Sequence, residues 1–205
     1  MDVLILGICG GSGSGKSTLA AALAEGVGDD DVGILAFDAY YRDLSHLSMA
    51  ERAGTNFDHP RSLDVELFCD HLDALRLGQS VGVPVYDFAS HRRTGRFVVC
   101  EPRPIVVAEG ILLLSEPTIR ARLDLCVFLD VPQEVRYERR LARDTVERGR
   151  EPADVYRQFH TSVVPMHDEF VQPHGLTADV VHQHPWDVTA LAGEVADAVK
   201  TVAPA

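Results

Sequence analysis

Lysine is almost absent from this sequence: among 19 lysines and arginines, only Lys16 and Lys200 are lysines. Positive charge is scarce overall, because 31 acidic residues give the chain a net charge of −12. A protein with this balance is repelled by phosphate backbones and by anionic lipid headgroups. We therefore expect neither nucleic acid nor a membrane among its main partners.

Paired cysteines and long apolar runs are also missing. The four cysteines are widely spaced, lie in apolar segments and form no C-x-x-C pattern; they are Cys9, Cys69, Cys100 and Cys126. This spacing predicts reduced core residues, and neither a disulfide framework nor a zinc site. No apolar run approaches the length of a membrane span, and no basic region precedes Val3–Ile8, which favours a strand over a signal peptide. These absences predict a cytoplasmic protein.

Short apolar runs that alternate with helical patterns fill the chain, and this alternation predicts βαβ units on a parallel sheet. The predicted strands are Val3–Ile8, Gly33–Phe37, Ile105–Ala108, Leu125–Leu129 and Asp179–Val181. The predicted helices are Lys16–Glu25, Asp64–Leu77, Pro132–Glu147, Ala153–Phe170 and Val188–Val202. The fold class is therefore α/β, and the length of 205 residues fits one domain over residues 1–205.

One stretch breaks the alternation. Val81–Phe88 and Arg96–Glu101 have the pattern of two strands around a polar turn, Ser90–Gly95, which predicts a β-hairpin insertion over residues 81–101.

A glycine-rich loop between the first strand and the first helix carries the strongest functional signal. Residues 10–17 read GGSGSGKS and match the phosphate-loop pattern G-x-x-x-x-G-K-[ST] at every fixed position. A strand, a glycine turn and a helix N-terminus together form a nest of backbone N–H groups that binds phosphates. We expect Lys16 to reach the β- and γ-phosphate oxygens and the Ser17 hydroxyl to hold Mg²⁺. The nucleotide-binding residues are predicted to be Gly10, Gly11, Ser12, Gly13, Ser14, Gly15, Lys16, Ser17 and Thr18.

Acidic residues end three of the predicted strands, at the edge where ligands bind to open parallel sheets. Glu109 closes a buried strand, where a carboxylate needs a compensating charge, and we expect it to be the second Mg²⁺-organising group. Asp38 precedes Tyr40 and Tyr41, which suits a substrate pocket. Asp130 is interpreted as structural, with capping of the next helix as the simplest role.

The order of several short motifs resembles that of the uridine (uridine-cytidine) kinases. After the phosphate loop come residues 38–41 (DAYY), 56–60 (NFDHP), 86–91 (YDFASH), 109–112 (EGIL) and 139–150 (RRLARDTVERGR). Residues 45–49 (SHLSM) look like the bacterial branch of this family. The resemblance covers roughly residues 3 to 182, and it implies a parallel-sheet phosphate-loop kinase fold with a β-hairpin insertion and a helical arginine lid over residues 136–150.

The resemblance implies phosphoryl transfer from ATP or GTP, with Mg²⁺, to the 5′-hydroxyl of uridine or cytidine. Asp38 matches the catalytic aspartate, Asp58 the residue that binds the ribose hydroxyls, and Arg143 and Arg148 the lid arginines on the triphosphate. With Lys16, these give the catalytic set Asp38, Lys16, Arg143 and Arg148. The implied nucleoside-binding residues are Tyr41, Phe57, Asp58, Tyr86, Phe88, His91, Ile111, Arg140, Arg150 and Gln158. The implied assembly is a homo-oligomer, a tetramer.

Two other functions stay open on the sequence. Val164 and the segment His182–Trp186 depart from the family's usual pattern, which leaves room for a related phosphate-loop kinase that acts on another small sugar or alcohol. A nucleotide-dependent switch that hydrolyses ATP without an acceptor is the alternative from another class. A switch would need neither an aromatic pocket nor a base for an organic hydroxyl, so the aromatic motifs and Asp38 favour a kinase.

Overall fold

A computed structural model describes residues 3–202. Its main sheet has five parallel strands in the order β2-β5-β1-β6-β7, namely β1 Leu4–Gly10, β2 Val32–Ala36, β5 Ile105–Gly110, β6 Leu125–Asp130 and β7 Val180–Gln183. All five predicted strands are confirmed, and none of their ends is shifted by more than two residues. The α/β fold class is therefore correct.

Helices cover both faces of this sheet. They are α1 Lys16–Val27, α2 Met49–Ala53, α3 Val65–Arg76, α4 Pro117–Arg120, α5 Gln133–Glu147, α6 Pro152–Gln158, α7 Val164–Phe170, α8 Gln172–Gly175 and α9 Val188–Val202. The short helices α2, α4 and α8 were not predicted, because four or five residues are too few for a helical period to stand out. No helix in the described part of the chain has the length and hydropathy needed to cross a bilayer.

The buried side chains of β1 alternate between two hydrophobic layers, as strand geometry requires. Leu4, Leu6 and Ile8 pack with α1 and α9 on one face, whereas Ile5 and Cys9 face the layer that contains α3. All four cysteines are free thiols, and only Cys100 is less than fully buried.

The predicted hairpin forms a separate two-stranded antiparallel sheet, β3 Val81–Asp87 and β4 Arg92–Cys100. The predicted start of its second strand, Arg96, is wrong by four residues. Arg92 and Arg93 already pair with Asp87 and Tyr86 of β3, because the turn needs only residues 88–91, with His91 in a left-handed conformation at φ 53°. Polar composition therefore marked an exposed strand, and not a turn.

The predicted helix Ala153–Phe170 is divided into α6, a π-helical turn at Phe159–Val163, and α7. Pro165 lies in the first turn of α7 and has no N–H to offer the preceding turn. A proline inside a continuous α-helix removes one hydrogen bond and crowds the carbonyl four residues earlier, and a wider turn relieves both problems.

Candidate active site

The phosphate loop links β1 directly to α1, as the sequence predicts. Gly13 and Gly15 have φ of +81° and +100°, a region that other residues rarely adopt. A Cβ at Gly13 would also collide with the carbonyl oxygen of Arg136. Helix α1 has no side-chain cap, since its N-cap is Gly15, so the backbone N–H groups of its first turn remain available for an anion.

Lys16 is buried at the first position of α1, and its Nζ donates a hydrogen bond to the Gly11 carbonyl oxygen at 3.1 Å. Burial lowers the pKa of this ammonium group, while the nearby carboxylates Glu109 and Asp38 act to raise it. The ammonium therefore lies folded over its own loop, next to two carboxylates that balance its charge.

Ser17 and Glu109 meet across the sheet edge. The Ser17 hydroxyl donates to Glu109 Oε1 at 3.0 Å, and Glu109 aligns in the sheet with Ile8 of β1 and Ala36 of β2. Burial raises the pKa of Glu109, and the Lys16 ammonium acts to lower it. This pair of hard oxygen donors fits Mg²⁺, which usually binds one or two protein oxygens together with substrate phosphates.

Asp38 lies in a short 3₁₀ helix, Phe37–Tyr40, that directly follows β2. Phe37 and Tyr40 are fully buried on either side and fix this turn against the core. Within residues 3–202, the Asp38 carboxylate makes no hydrogen bond or ion pair with the protein, and it lines the main cavity. The carboxylate is therefore free to accept a hydrogen bond from a ligand.

A single cavity of about 630 Å³ runs from the phosphate loop to the hairpin. Its far end is a box of aromatic rings. The ring centroids of Tyr41 lie 5.4 Å from Phe57 and 5.2 Å from Tyr86, and Tyr86 lies 5.2 Å from Phe88. Such a box suits a flat aromatic ligand.

Two polar groups are set into the aromatic end. The Tyr86 hydroxyl is buried and has no hydrogen-bond partner among the described residues, and burial raises its pKa to about 12. The His91 ring stacks on Phe57 with centroids 4.7 Å apart, and burial together with Arg150 and Arg52 lowers its pKa. A protonated phenol and a neutral imidazole are thus available at neutral pH to hydrogen-bond a ligand.

The middle of the cavity is polar. Asp58 is buried, and its Oδ2 accepts a hydrogen bond from the Ser162 hydroxyl at 3.0 Å. Burial raises the pKa of Asp58, and the nearby Arg140 guanidinium opposes that shift. Arg140 donates to the Ser12 hydroxyl at 2.8 Å and to Gln158 Oε1 at 2.9 Å, which ties the lid helix to the phosphate loop.

The lid arginines converge on one carboxylate, Asp144 of α5. This residue is fully buried, and Arg140, Arg143, Arg148 and Arg150 approach its oxygens at 3.5, 2.8, 3.6 and 3.3 Å respectively. Burial alone would raise the pKa of Asp144, but the arginines together lower it. One carboxylate among four guanidinium groups gives this cluster a local excess of positive charge, which acidic side chains elsewhere in the cavity wall, among them Asp38, Asp58 and Glu109, offset.

The structure brings all the sequence-predicted catalytic and nucleoside-binding residues to the wall of this cavity, and Ser17 and Glu109 with them. Of the predicted loop residues, Ser12, Gly13, Lys16 and Ser17 line the cavity, whereas Gly10, Gly11, Ser14, Gly15 and Thr18 do not. Asp130 does not cap α5, whose N-cap is Pro132; it accepts a hydrogen bond from Gln183 Nε2 at 2.8 Å.

Sequence reasoning missed several residues of the site. Asp87, Ala89 and Glu147 line the cavity, and Ser162 holds Asp58. Asp144 was assigned no role in the site. Its spacing from Arg140 and Arg148, four residues on either side, could have shown that both reach it.

The comparisons with known proteins agree with this geometry. The family model described as "Phosphoribulokinase / Uridine kinase family" matches residues 5–189. A curated relative from Shewanella halifaxensis, named uridine kinase, is 44% identical over 184 residues, which is 88% of this chain and 87% of the relative. Another uridine kinase, from Chloroflexus aurantiacus, is 47% identical over 178 residues, or 87% of this chain and 85% of that protein.

Solved structures share the fold at low identity. A "possible uridine kinase" from Bacillus stearothermophilus superposes with a TM-score of 0.56 at 20% identity, covering 88% of this chain and 89% of that chain. A D-glycerate 3-kinase from Cryptococcus neoformans gives 0.64 at 16% identity, covering 85% and 80%. With the family model matching most of its length, the chain belongs to the phosphoribulokinase/uridine kinase family.

Proposed function

We propose that this protein is a uridine kinase, which transfers the γ-phosphoryl group of ATP to the 5′-hydroxyl of uridine or cytidine and yields UMP or CMP. Identity of 44–47% to proteins named uridine kinases, over about 87% of the chain, supports the activity. The structural observation that supports this proposal best is that one cavity extends from the phosphate loop to the aromatic rings of Tyr41, Phe57, Tyr86 and Phe88. Donor phosphates and a flat acceptor can therefore occupy the same enclosed space.

The donor end holds the triphosphate. Backbone N–H groups of the loop bind the phosphates, and Lys16 leaves the Gly11 carbonyl to reach the β- and γ-phosphate oxygens. Arg143 and Arg148 offset the charge that develops on the transferred group. Ser17 and Glu109 would hold Mg²⁺, which supplies further charge neutralisation when bound. Nothing in this arrangement distinguishes ATP from GTP, so GTP is an alternative donor.

Asp38 acts on the acceptor. Its carboxylate orients the 5′-hydroxyl toward the γ-phosphorus and accepts the hydroxyl proton as the new O–P bond forms, while the bond from the γ-phosphorus to the β,γ-bridging oxygen breaks and ADP leaves. Phosphoryl transfer passes through a loose transition state, in which the base mainly positions the nucleophile. An ordinary carboxylate therefore suffices for this role.

The remaining side chains select the nucleoside. The carboxylate of Asp58 accepts hydrogen bonds from both hydroxyls of a ribose cis-diol, next to Arg140, and Arg150 and Gln158 lie beside it. Tyr86 and His91 hydrogen-bond the exocyclic edge of the pyrimidine, and His91 serves uridine or cytidine by changing tautomer. The walls of the base pocket are Tyr41, Phe57, Phe88 and Ile111.

A homo-oligomer is part of this proposal, with a tetramer as the expected assembly. Strand β4 is one edge of a two-stranded sheet and exposes three consecutive apolar residues, Phe97, Val98 and Val99. Arg96 precedes this stretch and Glu101 follows it, so two antiparallel copies would place opposite charges together. Light scattering should show a smaller molecular mass for the Val98→Lys assembly than for the wild-type assembly. Equal masses would show that β4 is not part of the subunit interface.

A panel of acceptors tests the activity. ADP release from MgATP is measured with uridine, cytidine, adenosine, ribulose 5-phosphate and pantothenate, and without an acceptor. We expect release that depends on uridine or cytidine, because a site built around specific hydrogen bonds discriminates by up to about 10⁴-fold against analogues that lack them. Preference for a sugar phosphate or pantothenate would favour a related kinase, and release without an acceptor would favour a switch.

A further inference from the structure

A second cavity of about 300 Å³ lies on the other side of the loop that carries Phe57 and Asp58. Its lining holds no acidic side chain, although the protein carries a net charge of −12. The lining residues are Arg42, Leu44, Thr55, Asn56, His59, Arg61 and Ser62. A basic cavity on an acidic protein concentrates anions from solution.

The two arginines of this cavity have free hydrogen-bonding capacity. In the part of the chain that the structure describes, neither Arg42 nor Arg61 forms an ion pair with a carboxylate. Arg42 uses only its Nε, which donates to the Arg61 carbonyl oxygen at 3.3 Å. His59 Nδ1 accepts from the Arg61 N–H at 3.1 Å, so a neutral His59 carries its proton on Nε2.

These donors match one chemical class of ligand. Two guanidinium groups and an imidazole N–H suit a phosphate dianion, because arginine binds such oxygens in pairs. Leu44 and the arginine stems add an apolar wall, and the volume exceeds that of a bare phosphate. We propose that this cavity binds the phosphate monoester of a small, sugar-sized molecule as an effector.

The loop between the two cavities provides the coupling. Asn56 lines the second cavity, and its Oδ1 accepts a hydrogen bond from the Asp58 N–H at 3.1 Å and lies 3.1 Å from the Ser162 hydroxyl oxygen. The same Ser162 hydroxyl lies 3.0 Å from Asp58 Oδ2 in the main cavity. A ligand that orders Asn56 therefore also fixes the carboxylate to which the proposed function assigns the ribose.

Binding is tested first, independently of activity. Ribose 5-phosphate, inorganic phosphate and ribose are titrated calorimetrically into the protein saturated with Mg²⁺ and a non-hydrolysable ATP analogue, which blocks the phosphate loop. We expect ribose 5-phosphate to bind the wild type and the control Arg157→Gln, which changes an exposed arginine of α6 that lines neither cavity, and to lose at least about tenfold in affinity for the double variant Arg42→Gln/Arg61→Gln. Inorganic phosphate should bind more weakly and ribose not at all.

Equal affinity in the double variant, or no binding to the wild type, would overturn the site. Inorganic phosphate that binds as tightly as ribose 5-phosphate would overturn the monoester as its ligand. Both arginines are exposed, so circular dichroism should show the double variant folded.

Coupling is tested second and rests on the proposed function. Ribose 5-phosphate should lower the KM for uridine about fivefold in the wild type, in the usual range of allosteric coupling, without changing the KM for ATP. The double variant should show no such effect. An unchanged uridine KM in the wild type, where ribose 5-phosphate binds, would overturn the effector role. If uridine is not phosphorylated at all, the proposed function fails, but the titration still shows whether ribose 5-phosphate binds in the second cavity.

Discussion

Asp38 and Lys16 serve opposite ends of the proposed reaction, so their variants should fail in different ways. Asp38→Asn keeps the shape but loses the proton acceptor, and should bind both substrates while kcat falls roughly 10²–10⁴-fold. Lys16→Ala should weaken ATP binding and abolish turnover. Steady-state kinetics with calorimetric titration of ATP separates the two. A near-normal kcat for Asp38→Asn with uridine would show that Asp38 is not the base.

The buried hydroxyl of Tyr86 allows a second test at the scale of one atom. A buried hydroxyl without a partner costs stability, so Tyr86→Phe should keep or raise the melting temperature of the free protein. If the hydroxyl binds the pyrimidine, the same change should raise the nucleoside KM about tenfold or more.

Tyr40→Phe is the matched control for Tyr86→Phe, because the Tyr40 hydroxyl hydrogen-bonds His71 Nδ1 at 2.7 Å and does not line the main cavity. It should lower the melting temperature and leave the nucleoside KM unchanged. An unchanged KM in Tyr86→Phe would remove Tyr86 from base recognition.

At the scale of single residues, the sequence predicts which residues form the site better than it predicts the contacts that they make. The motif order predicted that Tyr86, His91 and Asp58 share a pocket, and the structure brings them to one cavity. It did not predict that the Tyr86 hydroxyl lacks a partner or that His91 stacks on Phe57. Those properties depend on contacts between residues far apart in the chain, which spacing along one segment does not encode.

The lid formed by α5 and the segment after it depends on guanidinium geometry as well as on charge. Arg143 contacts Asp144 through two nitrogens, and the Arg148 guanidinium lies 4.8 Å from the centre of the Phe88 ring. Lysine keeps the charge but loses the planar fork, so Arg143→Lys and Arg148→Lys should each lower kcat about tenfold or more. Arg157→Lys, on the exposed surface of α6, is the control and should be neutral. A kcat equal to that of the wild type in both variants would show that these arginines have no role in turnover.

Helix α7 adds a pH-sensitive element behind the phosphate loop. Burial, together with the positive charge of the nearby Arg136, lowers the pKa of His167 from 6.5 to about 4. As the pH falls through this window, the unfolded chain takes up a proton that the folded protein does not, so stability decreases. The loss amounts to about 2 kcal/mol by about pH 5, because one pKa unit is worth about 1.4 kcal/mol.

His167→Gln should remove that part of the pH dependence, whereas His46→Gln, on an exposed loop, should not. Urea unfolding at about pH 7 and about pH 5 measures the difference for each protein. If the wild type and His167→Gln lose the same free energy of unfolding between these pH values, the low pKa of His167 is wrong.

At the scale of elements, strands were easier to predict than the boundaries of polar segments. Five apolar runs identified the five strands, because a buried parallel strand needs a nearly continuous apolar sequence. The start of β4 at Arg92 was missed, since an exposed strand need not be apolar. The π-helical turn before Pro165 was also missed, because helical periodicity continues through it while the hydrogen-bond pattern changes.

At the scale of the whole molecule, the sheet order explains why the site forms where it does. Strand β5 lies between β1 and β2, so Glu109 falls between the phosphate loop and Asp38. Residues of the hairpin and of the arginine-rich segment 140–150 also line this cavity. The sequence predicted each of these parts, but the second cavity arises where segments 42–44 and 55–62 meet, and no motif marks it.

Identification of the product tests the central claim most directly. Uridine, MgATP and the protein are incubated, and the products are analysed by ³¹P NMR and mass spectrometry. The account predicts UMP with its phosphate on the 5′-oxygen, formed in equal amount to ADP and lost in Asp38→Asn. Inorganic phosphate in place of UMP, or a phosphate on another oxygen of the ribose, would contradict it.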